Sequence, residues 1–144
     1  MTLKIKYFDE LTNRELYEIV RSRIDVFLME QKIICQDFDC VDYDSLHCFL
    51  EEDGRVVAYL RAYRLDDETV AIGRVLSLTH KTGLGSRLMR ESMPEIKKRF
   101  NCKKFSLHAQ TQAEGFYKKM GFSTVSDVFM EEGIPHVTME KSIL

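Results

Sequence analysis

Short segments with alternating apolar and polar positions are separated in this chain by segments with helical periodicity, and their order predicts the secondary structure. Residues 3–7 alternate and predict a first strand. Residues 11–31 begin with a capping box, Thr12 and Glu15, and continue with apolar residues at helical spacing, which predicts one or two helices. Residues 35–45 are acidic and aperiodic, so we expect a loop there.

Three strands are expected next, between residues 46 and 78. Asp53-Gly54 is a strong hairpin signal, because both residue types tolerate the positive φ that a two-residue turn requires. The polar residues 66–68 predict a second hairpin, and the last strand, about residues 69–78, ends just before a glycine-rich loop. The three strands should therefore form an antiparallel meander.

The rest of the chain alternates between helices and strands. Apolar residues at helical spacing predict a helix with one buried face: Leu84, Leu88, Met89, Met93, Ile96 and Phe100. Further elements are expected as a fifth strand at residues 103–109, a short helix at 112–120, and a closing pair of strands at 121–130 and 136–143 around a turn at Glu132-Gly133. This order indicates an α+β fold with a mixed sheet rather than a doubly wound one.

Composition narrows the class of protein. The 144 residues are 44% hydrophobic and 31% charged, which indicates one globular domain over residues 1–144. Apolar runs are too short to span a bilayer and residues 1–20 lack a signal-peptide pattern, so we expect a cytoplasmic protein with no membrane partner. The net charge of -2 lacks the basic surplus that a nucleic-acid backbone demands, so no nucleic-acid partner is expected.

Neither the cysteines nor the acidic loop shows a metal-binding pattern. The four cysteines have no CxxC pair or zinc-ligand spacing: Cys35, Cys40, Cys48 and Cys102. A calcium loop would need glycine where Asp42 stands and glutamate where Cys48 stands, so we expect no metal. Two interpretations stay open for the loop carboxylates, attraction of a cationic ligand or a solvated acidic surface: Asp37, Asp39, Asp42 and Asp44.

The glycine-rich stretch THKTGLGSRLMRESM, residues 79–93, predicts an anion site. Gly83 and Gly85 let the backbone approach a ligand closely, and the helical pattern begins directly behind them. A Walker loop would end in Gly-Lys-Ser/Thr, and a dinucleotide fingerprint would have a third glycine where Leu88 stands. The loop therefore belongs to another class of phosphate site.

These residues resemble the GCN5-related N-acetyltransferase superfamily. HKTGLG, residues 80–85, is similar to the pyrophosphate loop Gln/Arg-x-x-Gly-x-Gly/Ala, with His80 in the first position. QAEGFYKKMGF, residues 112–122, resembles a second motif, Asn-x-x-Ala-x-x-Leu-Tyr-x-Lys-x-Gly-Phe, with Gln110 in the Asn position. The stretches LYEIVRSRIDVFLMEQ, QDFDCVD, IGRV and EEGIPHVTM extend the resemblance to the ElaA-like family over nearly the whole chain.

The resemblance implies a fold, a donor and a donor site. The fold would be a mixed, mostly antiparallel sheet flanked by helices and splayed at strands four and five, and the cosubstrate would be acetyl-CoA. Strand four would bind the pantetheine arm through the backbone of Val75 and Leu76, and Gln110 and Tyr117 would also contact the donor. The pyrophosphate would lie on backbone N–H groups of six residues: Lys81, Thr82, Gly83, Leu84, Gly85 and Ser86.

The implied reaction is direct attack of a primary amine on the thioester in a ternary complex. Tyr117 would protonate the departing thiolate as general acid. The base stays open among Glu30, His47, His108, Glu131 and His136; Glu30 matches a family position but equally suits a helix-terminal carboxylate.

The acceptor would be a small-molecule or peptide amine, and a homodimer is left open. Glu30, Asp37, Asp39 and His136 are the expected contacts of the acceptor. Two other functions compete with catalysis, a non-catalytic acyl-CoA-binding or regulatory module and a structural interaction domain.

Overall fold

The computed structural model describes all residues from Met1 to Leu144, and every strand belongs to one sheet. The strands are β1 (Thr2–Tyr7), β2 (Leu46–Glu52), β3 (Arg55–Arg64), β4 (Thr69–Ser77), β5 (Lys104–Gln110), β6 (Ser123–Thr124), β7 (Phe129–Glu131) and β8 (Ile134–Ser142). Their order is β1-β2-β3-β4-β5-β8-β6, and β7 pairs with β8. Every pair is antiparallel except β4–β5, which confirms the predicted mixed α+β sheet.

The parallel pair β4–β5 is short and opens into a cleft. Its register covers only Thr69–Ala71 on β4 against Lys104–Ser106 on β5, so the later residues of both strands lack a partner on that side. A bulge in β4 against β3, where Arg74 has a φ of 52°, bends the strand in this region. The predicted splay between strands four and five is therefore confirmed.

The three α-helices cover opposite faces of the sheet. They are α1 (Asn13–Arg23), α2 (Leu84–Phe100) and α3 (Glu114–Lys119). The larger core, 20 buried residues, lies between the sheet and α2 with α3, whereas six buried residues pack on the face of α1. Leu88, Met89 and Ile96 are fully buried as the helical pattern predicts, and each contributes roughly 1.5–3 kcal/mol by burial.

Helix α1 begins at the predicted capping box. The Thr12 hydroxyl accepts a hydrogen bond from the Glu15 N–H at 3.1 Å, and the Glu15 carboxylate accepts one from the Thr12 N–H at 2.9 Å. Burial alone would raise the pKa of Glu15, but hydrogen bonds from Lys6, the Thr12 N–H and Lys4 lower it to about 2. After Arg23 the helix continues as a π-helical segment, Ile24–Glu30, which places Glu30 and Gln31 at the cleft end of the sheet.

The turn predictions are confirmed, whereas one predicted strand is wrong. Asp53-Gly54 and Glu132-Gly133 both have positive φ at their two residues, as two-residue hairpin turns require. Residues 121–130 form only β6 and β7, because four residues, 125–128, face two residues of β8, 137–138. The Ser126 hydroxyl accepts the Thr138 N–H at 2.8 Å, which replaces a backbone bond of the sheet.

None of the helices combines the length and the apolar composition that crossing a membrane requires.

Candidate active site

The N-terminus of α2 leaves a series of backbone donors free. The six N–H groups from Lys81 to Ser86 donate no hydrogen bond within the chain, and the first bond of the turn runs from the Arg87 N–H to the Gly83 oxygen at 3.0 Å. Gly83 is the N-cap with a φ of 79° and offers no side chain to these donors. Helix α1, in contrast, is capped by Thr12. The start of α2 is therefore suited to bind an anion.

The two glycines of this loop differ in backbone conformation and in the contacts that a Cβ atom would make. Gly83 has the left-handed φ that favours glycine, although a Cβ there would meet no atom within 4 Å. Gly85 is the second residue of α2, and a Cβ would lie 3.5 Å from the Phe116 ring, an ordinary contact. The fold itself therefore does not require glycine at position 85, whereas close approach of a ligand to the backbone would.

His80, in the position where the related motif has Gln or Arg, binds a residue on another element. Its Nε2 pairs with the Glu30 carboxylate at the end of the π-helical segment. Both side chains are largely exposed, so the pair itself stabilises the fold by at most about 1 kcal/mol. Within the loop, the hydroxyls of Thr79 and Thr82 lie 2.9 Å apart. These contacts join the loop to one wall of the cleft.

Tyr117 lies on α3, buried beside the sheet. Its ring packs edge to face against Phe116 and Phe122, with centroids 5.1 and 6.0 Å away. Its hydroxyl has no hydrogen-bond partner in the chain, and burial raises the pKa of Tyr117 above its ordinary value. The phenol therefore stays protonated at neutral pH and can donate its proton.

The other predicted donor residues line the splayed strands. Val75 and Leu76 lie on β4 beyond its last pair with β5, with Leu76 buried in the smaller core and Val75 packed against the larger one. Gln110 ends β5, and its side-chain amide nitrogen donates to the side-chain amide oxygen of Gln31, Oε1, at 3.1 Å. This bond connects β5 with the π-helical segment across the cleft.

His136 on β8 lies in a cluster with two other candidates for the base. The Glu131 carboxylate on β7 lies 2.8 Å from His108 Nδ1 and 3.5 Å from His136 Nε2. The structure therefore brings three of the five candidates together and leaves Glu30 with His80. The fifth, His47, is buried and bonds the Tyr59 hydroxyl at 2.7 Å and the Asp42 carbonyl at 2.9 Å. Burial lowers the pKa of His47, and its contacts are those of a packed residue.

The acidic loop is bound to three arginines rather than free to attract a ligand. Asp37 pairs with Arg23 at 3.0 Å and with Arg74 at 2.9 Å. Asp39 binds Arg61 through both carboxylate oxygens, at 2.6 and 2.8 Å. Hydrogen bonds from Arg61 lower the pKa of Asp39 to about 2, which overcomes the opposing effect of burial.

Asp42 completes this network at its buried centre. Its Oδ1 lies 2.7 Å from Arg23 and 3.1 Å from Arg61, whose side chains are only 2% and 3% exposed. The network therefore holds the loop against the sheet. The two interpretations left open by the sequence, attraction of a cationic ligand and a solvated acidic surface, do not describe these ion pairs. The sequence did contain a signal, because Arg61 stands alone in the apolar run of β3.

A known family, a relative from another organism and a solved structure each match most of this chain. The model of the acetyltransferase (GNAT) domain matches residues 17–143. The ElaA protein of Escherichia coli is 33% identical over 144 residues, which cover 96% of this chain and 94% of ElaA. The crystal structure of E. coli ElaA, 31% identical, superposes with a TM-score of 0.89 over 97% of this chain and 98% of ElaA.

Two other solved structures share this fold. An acyl-CoA N-acyltransferase from Pseudomonas aeruginosa is 33% identical, with a TM-score of 0.90 over 98% of this chain and 99% of that one. A GNAT family acetyltransferase from Elizabethkingia anophelis, with acetyl-CoA bound, shares the fold at 14% identity, with a TM-score of 0.65 over 98% of both chains. The chain therefore belongs to the GNAT acetyltransferase family, and within it resembles ElaA.

Proposed function

We propose that this protein transfers an acetyl group from acetyl-CoA to a primary amine by direct attack in a ternary complex. The observation that carries the proposal is the uncapped start of α2, where six free N–H groups lie beside the open end of the β4–β5 pair. The membership of the family and the acetyl-CoA named for the E. anophelis relative agree with it.

The residues present fit the donor, which supplies an activated acetyl group as its thioester. Free N–H groups between Lys81 and Ser86, at the positive end of the α2 dipole, would hold the pyrophosphate. Gly85 would allow the close approach. The backbone around Val75 and Leu76, which has no partner strand on the β5 side, would orient the pantetheine arm and polarise the acyl carbonyl, an effect worth about 3 kcal/mol in a site without water.

Tyr117 would protonate the leaving thiolate. A thiol of this kind has a pKa of about 8.5, so its thiolate takes up a proton at neutral pH, and a nearby phenol can supply that proton. The phenol of Tyr117 is protonated at neutral pH, and burial, which raises its pKa, favours this form. No cysteine nucleophile is required for this direct transfer.

Cysteine usage also supports a cytoplasmic location within this proposal. All four cysteines are free, and Cys35 and Cys40 are exposed, as suits a reducing compartment.

The proposal is tested by thiol release from acetyl-CoA with a panel of alkyl amines. Thiol should appear with at least one amine, and omission of the amine should abolish it. CoA should also raise the melting temperature by linkage, and adenosine, which lacks the pyrophosphate, should raise it much less. Stabilisation by CoA without thiol release for any amine would indicate a binding module, and no stabilisation would indicate an interaction domain.

A further inference from the structure

His108, Glu131 and Phe129 form a compact group on the face of β5, β7 and β8 that also carries His136. Glu131 Oε1 lies 2.8 Å from His108 Nδ1, and its Oε2 lies 3.5 Å from His136 Nε2. The Phe129 ring packs edge to face on His108, with centroids 5.1 Å apart, and stacks on His136 at 6.2 Å. The His108 imidazole is therefore held by both a carboxylate and an aromatic ring.

The hydrogen bonds of the group determine where the protons lie. The Ile134 carbonyl can only accept, so His136 Nδ1, 2.7 Å away, donates to it. An ionised Glu131 likewise accepts from His108 Nδ1, which leaves a lone pair on His108 Nε2. That nitrogen has no partner within the chain, and the His108 side chain is 51% exposed. Nε2 of His108 is thus free to take a proton from a ligand.

The position of His108 places it beside the cleft. It follows the last residue of β5 that pairs with β4, Ser106, by two positions, so it lies on the splayed part of the strand. Gln110, two residues further on and on the same face, reaches Gln31 across the opening. His108 therefore faces the space between β5 and the π-helical segment, while Tyr117 lies on the opposite side of the sheet with α3.

The charges around His108 come from few groups. Glu131 on β7 is the one charged side chain in ion-pair contact with its ring, and His136 on β8 acts through Glu131. On the facing segment, Glu30 is paired with His80. No arginine or lysine is within ion-pair distance of Glu131, so its negative charge remains available to an imidazolium.

We propose that His108 is the general base that deprotonates the acceptor ammonium, with Glu131 as the positioning residue that holds its ring and stabilises the imidazolium. This inference rests on the proposed acetyl transfer. The unpartnered Nε2 of His108 suits the task better than the Glu30 carboxylate, which is paired with His80.

Proton transfer, C–N bond formation and C–S bond cleavage follow one another in the ternary complex. The ammonium gives one proton to His108 Nε2, and the neutral nitrogen forms the C–N bond at the thioester carbonyl carbon. The C–S bond then breaks, and the thiolate takes the proton of Tyr117. The second proton of the nitrogen restores Tyr117 through solvent, and His108 releases its proton to solvent. Each turnover therefore yields the amide, the free thiol and one proton.

The test compares His108→Gln with wild type, using an alkyl amine and an acceptor that is uncharged at neutral pH, such as an aryl amine. Gln can still donate to Glu131 but cannot accept the proton. We expect kcat/KM for the alkyl amine to fall by about 10²–10⁴-fold and to recover as pH rises, because the amine then arrives deprotonated. The uncharged acceptor should lose less than about threefold.

Glu131 provides a second readout with a matched control. Glu131→Gln should shift the pH profile of the alkyl amine reaction, and Glu131→Asp should shift it less. The matched control is Glu132→Gln, the next residue in the turn, which should leave the pH profile as in wild type. Stabilisation by CoA should be unchanged in all variants.

Equal losses for both acceptors, or an unchanged alkyl amine rate, would overturn the assignment of His108. A selective loss of the alkyl amine reaction in Glu30→Gln instead would identify Glu30 as the base. Wild-type protein that releases no thiol with any amine would contradict the proposed function itself and the base assignment with it.

Discussion

Gly85→Ala separates the requirements of the fold from those of the ligand. A Cβ at Gly85 would make an ordinary contact with Phe116 at 3.5 Å, and the residue lies inside α2 with helical backbone. Alanine loses less conformational freedom on folding, so the variant should be about 0.4–1 kcal/mol more stable without ligand. For 144 residues the unfolding entropy is about 0.3 kcal/mol/K, so the melting temperature should rise by roughly 1–3 °C.

Binding of CoA should change in the opposite direction. The methyl group would hold the pyrophosphate away from the free N–H groups, and the loss of one charge-assisted hydrogen bond costs about 1.5–3 kcal/mol. Affinity should therefore fall about 10- to 150-fold. At a CoA concentration of 100 wild-type Kd, the stabilisation of about 2.7 kcal/mol, roughly 9 °C, should shrink to at most about 1.4 kcal/mol, roughly 5 °C.

The assay is thermal unfolding with and without CoA, and two glycines outside the loop, Gly115 and Gly133, serve as controls. Gly115→Ala, in α3 and with no atom near its Cβ, should raise stability without changing the CoA shift. Gly83→Ala and Gly133→Ala impose the same strain at φ near 75°, but only the first should weaken CoA binding. A Gly85→Ala protein that binds CoA like wild type would refute the assignment of the loop as a pyrophosphate site.

Three further predictions follow from the site. Tyr117→Phe should lower kcat by about 10- to 10⁴-fold and leave CoA stabilisation unchanged, because the ring still packs; full activity with chemistry rate-limiting would exclude Tyr117 as the acid. His80→Gln should change CoA affinity less than about threefold, since the Glu30 pair is exposed; calorimetry showing a larger loss would give His80 a direct part in binding. Asp42→Asn should cost about 2–4 kcal/mol at pH 7 in urea unfolding, because Arg23 and Arg61 stay buried. Burial alone would raise the pKa of Asp42, but hydrogen bonds and charges from Arg23 and Arg61 lower it below its ordinary value. The difference from wild type should therefore shrink as pH falls through this lowered pKa, where wild-type Asp42 becomes neutral like Asn, and a constant difference would contradict this reasoning.

The local parts of the fold could be predicted from the sequence. The turns at Asp53-Gly54 and Glu132-Gly133 depend on the φ preferences of two residues, and the α1 cap depends on a spacing of three. The loop of Gly83 and Gly85 belongs to this class, because its glycines and the following helix are contiguous in the chain. Such features need no knowledge of tertiary contacts.

The arginine network and the histidine group could not be predicted in this way. Arg61 meets Asp39 across 22 residues of sequence, and only the path of the loop over β3 decides which carboxylate it finds. His108 meets Glu131 only because β5 and β7 both border β8 in a particular register. The wrong prediction of one strand over residues 121–130 also comes from a tertiary contact. The Ser126 side chain accepts a hydrogen bond from a backbone N–H of β8, whereas a regular strand would accept it through a backbone carbonyl.

The central claim, amine acetylation with the donor held at the start of α2, is tested most directly by the ratio of N-acetylated amine to free thiol. Mass spectrometry of the acceptor, run beside thiol release, should give a ratio of about one for wild type. Gly83→Asp, which places bulk and negative charge among the free N–H groups, should remain folded and form neither product. Thiol without acetylated amine, or full activity in the folded Gly83→Asp protein, would contradict the account.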